Sequence, residues 1–359
     1  MTNLIANVAT LQSSLTRRRS TATLTQALAK AEQEVTTGTR ANIYADLGTR
    51  ASNSLMLRNQ ISRTESYVDS NTVVAAKMDV MATTMKEMRS ITEDLLSVVV
   101  SNTESKTTSA SELQASALAA LEQFIGLANS SYQDGSLFTG IEDGETALNY
   151  WNQTSSETGL SPSGVIASIV GTGPTSAADA SSMITQIVSV FDSSNADPNL
   201  QYESTFYGGA EALDGSGNPT TRVQARIDDG ETISYGVQAN DAAFTEIYRG
   251  LAMLASIDVS TIEDSEAYSA YVTEAANALS NGINAMLAAE TKLGTQQARV
   301  ESTITSQEDL ITIYTTQLDD LEGVDEYEAA TRLTQLQTQL ETSYTVTSRL
   351  SSLSLLNYL

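Results

Sequence analysis

The chain has 359 residues, enough for two or three domains and a sizeable core, with ordinary hydrophobic (41%) and charged (18%) fractions. It contains no cysteine and no histidine, which excludes disulfides, Cys/His zinc sites and any nucleophile triad built on an imidazole. A net charge of −25 argues against nucleic acid as a partner. The charge is uneven. Residues 1–63 hold eight basic and three acidic side chains, whereas the last 59 residues hold ten acids against Arg332 and Arg349. This bias suggests that the two ends attract each other.

The opening MTNLIANVATLQSSLTRRR has its positive charges after its spaced apolar residues, unlike a secretory signal. No apolar run approaches membrane-spanning length, so membrane insertion is not expected. Leu4, Val8, Leu11 and Leu15 share one helical face, and Leu24, Leu28, Ala31 and Val35 form a second stripe nearly opposite. Either the helix breaks across Arg17–Arg19, or one helix presents different faces to different partners. Gly38 marks its end, and a loop runs to about Gly48.

Residues 50–100 read as a long helix through Leu57, Ile61, Val68, Ala75 and Met78, continued by Met81, Met85 and Met88. The methionines suit a core seam, with an adaptable partner-binding surface as the alternative. Ser109–Glu112 has the form of a capping box before a helix with Leu113, Ala117, Leu121, Phe124 and Ala128 inward. From 141 to 244 glycine, proline and acids increase. Val223, Ala225 and Ile227, then Ile233, Tyr235 and Val237, alternate around the turn Asp228–Glu231 and predict a β-hairpin. A short apolar helix is expected near 180–191 and another over 242–255.

Ser260–Glu263 reads as a second capping box. Leu293, Gln297, Val300, Ile304, Gln307, Ile311, Tyr314, Leu318 and Leu321 then keep coiled-coil spacing over about 43 Å of helix. Glu322-Gly323 ends that run, and Asp325 is placed to cap a final helix. It carries Leu333, Leu336, Leu340, Thr347 and Leu350 and ends on Leu353, Leu355, Leu356 and Leu359. The predicted fold is mainly α with an inserted β-containing domain, its N- and C-terminal segments forming a long antiparallel helical bundle or coiled coil. Five segments are expected: a polymerisation helix over 1–34 pairing with 323–359, bundle halves at 35–140 and 245–322, and a β-rich outer domain at 141–244.

No catalytic, cofactor or metal site is expected. Gly171-Thr-Gly173-Pro174 lacks the rest of a dinucleotide fingerprint, and Asp214–Asn218 lacks the glycine and final glutamate of a calcium loop. The carboxylate pairs Asp228-Asp229 and Asp319-Asp320 fit a hairpin turn and a helix surface.

Several stretches carry a family resemblance. Asp325–Tyr344 (DEYEAATRLTQLQTQLETSY) closely resembles the C-terminal motif of the flagellin superfamily, and Val346–Leu359 is most similar to its hook–filament junction members. Glu34–Arg40 and Leu137-Phe-Thr-Gly140 are similar to that family's N-terminal elements, and the hairpin followed by Asn240–Phe244 also fits; the opening dodecapeptide departs from the family's usual starts. The resemblance implies an exported structural subunit that travels through the flagellar type III apparatus without a cleaved signal. It also implies terminal helices that order on assembly and a middle domain facing outward. Implied partners are copies of the chain in a ring, the other junction protein, flagellin and an export chaperone. Flagellin itself, or a secreted coiled-coil binding module, are the competing readings. The expected assembly residues are Leu4, Val8, Leu11, Leu15, Leu24, Leu28, Val35, Leu333, Leu336, Leu340, Leu350, Leu353, Leu355, Leu356 and Leu359. The expected bundle seam is Leu293, Val300, Ile304, Ile311, Leu318 and Leu321.

Overall fold

The computed structural model describes residues 2–133, 135–142 and 146–356, with side chains described between residues 12 and 349. The fold is mainly α. Its elements in order are α1 (Thr2–Thr37), α2 (Ile43–Leu47), α3 (Ala51–Val100), α4 (Leu113–Ala128), β1 (Ser131–Tyr132), β2 (Gly135–Ser136), α5 (Pro162–Val170), α6 (Ala177–Phe191), α7 (Tyr202–Thr205), β3 (Gln224–Asp228), β4 (Glu231–Ser234), α8 (Ala242–Ser256), α9 (Ser265–Glu322) and α10 (Glu326–Leu356). They form two compact units, one of residues 1–66 with 306–359 and one of residues 67–305.

In the larger unit, α8 is the centre because its sequence is apolar almost all round. Phe244, Ile247, Tyr248, Leu251, Met253 and Leu254 are all fully buried, the pattern of a helix with neighbours on every side. It packs against α4, α5 and α6. Two glycines bring α8 and α9 together. A Cβ on Gly282 would stand 2.7 Å from the backbone nitrogen of Ile247, and one on Gly250 would stand 2.7 Å from the Leu279 side chain. Phe191, Tyr202, Phe206 and Tyr248 interlock beside α8 with ring centroids 5.3–6.0 Å apart. Such aromatic pairs add to the burial of their own area.

Arg249 is buried in this core, and the carboxylates of Glu246 and Glu274, each 2.6 Å away, keep it charged. Burial opposes that charge, but the two hydrogen bonds win and its pKa is raised. Met78, Met81, Met85 and Met88 are all buried in the same core. Within this unit the methionines are therefore a packing seam.

The segment 141–244 is less β than its composition suggested, since α5, α6 and α7 occupy much of it. Its β3–β4 hairpin pairs Ala225 with Ile233 and places Ile227 and Ile233 inward. Asn71 of α3 donates to the Ile227 carbonyl at 2.8 Å, and Arg299 of α9 donates to Glu231 at 2.8 Å. The hairpin is thus tied to two helices rather than free-standing. The Ser109 side chain caps no helix. It joins Asn102 and Thr107 in a loop network, and Asp264, not Ser260, caps α9 through Ala267 N–H at 2.7 Å.

In the smaller unit α1 is one continuous helix through Arg17–Arg19. It pairs with α10, and the direction is antiparallel, because Glu34 meets Arg332 while Thr21 meets Ser343. The start of α3 and the end of α9 lie in the same unit, where Ile311, Tyr314, Leu318 and Leu321 are half-buried along one face of α9.

Candidate assembly interface

The most constrained place in the smaller unit is the joint where α1, α9 and α10 end and begin. Gly38 stops α1 with a left-handed φ of +69°, a conformation that suits glycine. The chain then bridges to the other turn. Thr39 pairs with Gly323, Val324 N–H donates to the Gly38 carbonyl at 3.0 Å, and Arg40 N–H donates to the Glu322 carbonyl at 2.8 Å. Gly323 cannot carry a side chain here, since a Cβ would lie 2.5 Å from the Asp319 carbonyl. Asp325 caps α10 by accepting from the Tyr327 and Glu328 amides at 2.9 and 3.0 Å.

Under this bridge lies the Glu322 carboxylate, 2% exposed. It accepts hydrogen bonds from Ser54 and from the Arg58 guanidinium, whose Nε stands 3.0 Å away. Burial by itself would raise its pKa. The bonds from Arg58 and Ser54 outweigh that and hold it below the usual carboxylate value. Glu34, also buried, accepts from the Ala41 amide at 3.4 Å and faces Arg332 at 3.5 Å. That pair sets an acid on α1 against a base on α10, the reverse of the charge bias of the two ends.

The α1 face toward α10 runs through Ser14, Arg17, Thr21, Leu24, Leu28, Ala31 and Glu34, at heptad-like spacing. Its α10 counterpart is Ala329, Leu333, Leu336, Leu340 and Ser343. Leu24, Leu28, Leu333, Leu336 and Leu340 are half-buried between the two helices. Leu15 (48% exposed) and Val35 (37%) stand off this face, as do Tyr344 and Val346, and Thr347 is exposed. Leu4, Val8, Leu11, Leu350, Leu353, Leu355, Leu356 and Leu359 lie outside the described side chains. Of the bundle seam, Leu293 and Val300 are buried, while Ile304, Ile311, Leu318 and Leu321 are half-buried. Sequence reasoning gave Glu322, Ser54 and Arg58 no role; the signals present were Ser54 at 3-4 spacing ahead of Leu57 and Ile61, and an acid at the helix end beside Gly323.

On α10 the exposed Thr334, Thr338, Thr342 and Thr345 each donate to the carbonyl four residues earlier, at 2.8–3.0 Å. Their hydroxyls are satisfied within the helix, so covering that face leaves none of them unpaired.

Among the described residues no group of three or more acids could hold a metal ion, and no helix is long and apolar enough to cross a membrane. The Asp214 carboxylate, fully exposed, accepts from the backbone of Asn218 and Ser216 at 2.8 and 2.9 Å, which lowers its pKa and accounts for the loop it sits in.

These features define a helical structural subunit whose first and last helices pair and still present apolar side chains outward. The chain belongs to the bacterial flagellin family: residues 8–143 match its N-terminal helical region and residues 276–359 its C-terminal helical region. Members of that family are structural proteins exported to the flagellum, where they assemble into polymers. The fold is also similar to a solved structure described as a flagellar hook-associated protein from Vibrio parahaemolyticus. The TM-score is 0.51 at 11% identity, over 77% of this chain and 99% of that one, a likeness of fold alone. No curated protein matches the chain.

Proposed function

We propose that this flagellar subunit is the hook–filament junction protein, flagellar hook-associated protein three, which forms a short ring zone and supports flagellin addition. The observation that carries the reading is the α1–α10 pair. Its shared seam is narrow and partly polar, while Leu15, Val35, Tyr344 and Val346 remain exposed beside a stripe of internally satisfied threonines. A pair built this way gains most of its burial from neighbouring subunits. The likeness in fold to a hook-associated protein and the resemblance of Val346–Leu359 favour the junction over the bulk filament.

In this reading the terminal helices bind copies of the same chain in a ring. The other junction protein lies on the hook side, flagellin on the filament side, and an export chaperone holds the chain before it passes through the type III apparatus. Deleting the gene tests it. A junction mutant builds normal hooks, lacks attached filaments by electron microscopy and leaks flagellin into the medium. Hooks that still carry filaments of normal length would sink the proposal. Growth of long filaments by the purified protein on seeds would point instead to flagellin.

A further inference from the structure

We propose that the cavity where α1 ends and α10 begins receives the acidic outer face of α9 from a second copy of this chain. The contact rests on the assembly role proposed for these helices and names its two sides. The cavity measures about 620 Å³, and Arg40 lines it. That side chain is half-buried, and its Nε is shut off from solvent without a hydrogen-bond partner. Among the described residues no acid pairs with its guanidinium. A guanidinium cannot shed its charge, so enclosing one without an acceptor is costly. Lys30, in the same lining, is also without an ion pair among the described residues. The cavity's own acids are mostly engaged elsewhere. Asp325 accepts from the amides that start α10, and Glu34 and Glu328 face Arg332 at 3.5 and 3.7 Å. Asp46 remains, and it pairs with neither Lys30 nor Arg40.

The same chain carries the complement. No lysine or arginine occurs from residue 300 to residue 331. Within that stretch Asp309, Ile313 and Asp320 are exposed and share one face of α9, because steps of four and seven residues return to the same side of a helix. About 16 Å of helix separates the two aspartates, and neither has a side-chain partner among the described residues. This face lies opposite the half-buried Ile311, Tyr314 and Leu318, so it is open to a neighbour. Ile313 is 50% exposed and Leu310 beside it 40%. Two unpaired acids around an exposed isoleucine therefore answer two unpaired bases in a cavity that also holds Ala27 and Leu336 as an apolar wall. Because the two sides are different surfaces, the contact is head-to-tail. It repeats from copy to copy and either closes into a ring or runs on as a helix.

The chain has no cysteine of its own, so engineered pairs report the contact directly. Full-length subunits carrying Lys30→Cys with Ile313→Cys should give a ladder of disulfide-linked oligomers when flagella isolated from cells are oxidised. Each copy then supplies both halves of the contact. Lys30→Cys with Thr315→Cys, which stands on another face of α9, should give no ladder. A missing ladder in the first pair, or an equal one in the second, would overturn the proposal. Charge exchange tests the same contact without cysteines. Asp309→Lys with Asp320→Lys should lower the amount of subunit on flagella about tenfold and send it to the medium. Adding Lys30→Glu and Arg40→Glu to that variant should restore much of the bound subunit. Undiminished assembly of the first variant, or no recovery in the second, would count against the contact. The deletion strain reads the junction role separately, since the ladder forms whichever part of the flagellum the subunit builds.

Discussion

Glu322 shows how one side chain fixes the joint. The carboxylate is buried, while the Arg58 side chain that binds it is half exposed. Solvent screens the attraction on the Arg58 side, so the ion pair alone contributes little. What makes the site sensitive is the carboxylate itself, which would be left buried without its donors. Because its folded pKa lies below the ordinary 4.5, it contributes stability that is complete above pH 4.5. That contribution is lost as the pH falls through the folded value. Glu322→Gln should therefore cost about 1–3 kcal/mol at pH 7. It should also flatten the loss of stability as the pH falls below 4.5. Urea unfolding followed by circular dichroism at several pH values measures both, and parallel pH profiles for variant and wild type would refute the assignment. The sequence did not reveal this residue. An acid three positions before a capping aspartate looks like helix surface until α3 is laid across it.

At the scale of elements, the long helices were the legible part. The face of α3 that turns inward keeps 3-4 spacing from Leu57 through Met78 to Val99, and the α9 positions from Leu293 to Leu321 keep it too, since heptad spacing survives any tertiary context that uses it. Polar members such as Ser54 and Asn71 sit on the same faces and were invisible to a hydrophobic pattern, whereas the heptad spacing of its neighbours already placed the buried Gln307. The segment 141–244 was harder, because its helices are short and its composition favours turns. Ser161-Pro162 was nevertheless a start signal: Ser161 accepts from Gly164 N–H, with Pro162 at the first helical position. Helical glycines separate packing from propensity. Gly250→Ala and Gly282→Ala push a Cβ into α9 and α8 respectively and should destabilise by about 1–3 kcal/mol. Gly126→Ala and Gly294→Ala meet nothing within 4 Å and should stabilise by up to about 1 kcal/mol. Thermal melts of the four variants decide it, and a uniform sign across the set would contradict the contacts described for α8 and α9.

For the molecule as a whole, the two units differ in how firmly they are held. The larger has an aromatic core around α8 in which Tyr248, Phe244 and Phe206 are fully buried. In α1 and α10, by contrast, Ala31 and Ala329 are the buried apolar side chains among those described, and the remaining contact positions are half-buried or polar. Opening free energy follows buried apolar contact, so the terminal pair opens first. Proteases that sample open states then cut there before the larger unit yields. Limited trypsin treatment of the free monomer should cleave first at Arg18, Arg19, Arg332 and Arg349. Arg249, buried between Glu246 and Glu274, should resist. Hydrogen exchange should rank the same segments in the same order, with α1 amides exchanging orders of magnitude faster than those of α8. If α1 and α10 proved as protected as α8 in the monomer, they would be stable without neighbours. The exposed Leu15, Val35, Tyr344 and Val346 would then no longer argue for assembly through these helices. If protection instead rises sharply once the protein is polymerised, the missing burial is supplied between subunits.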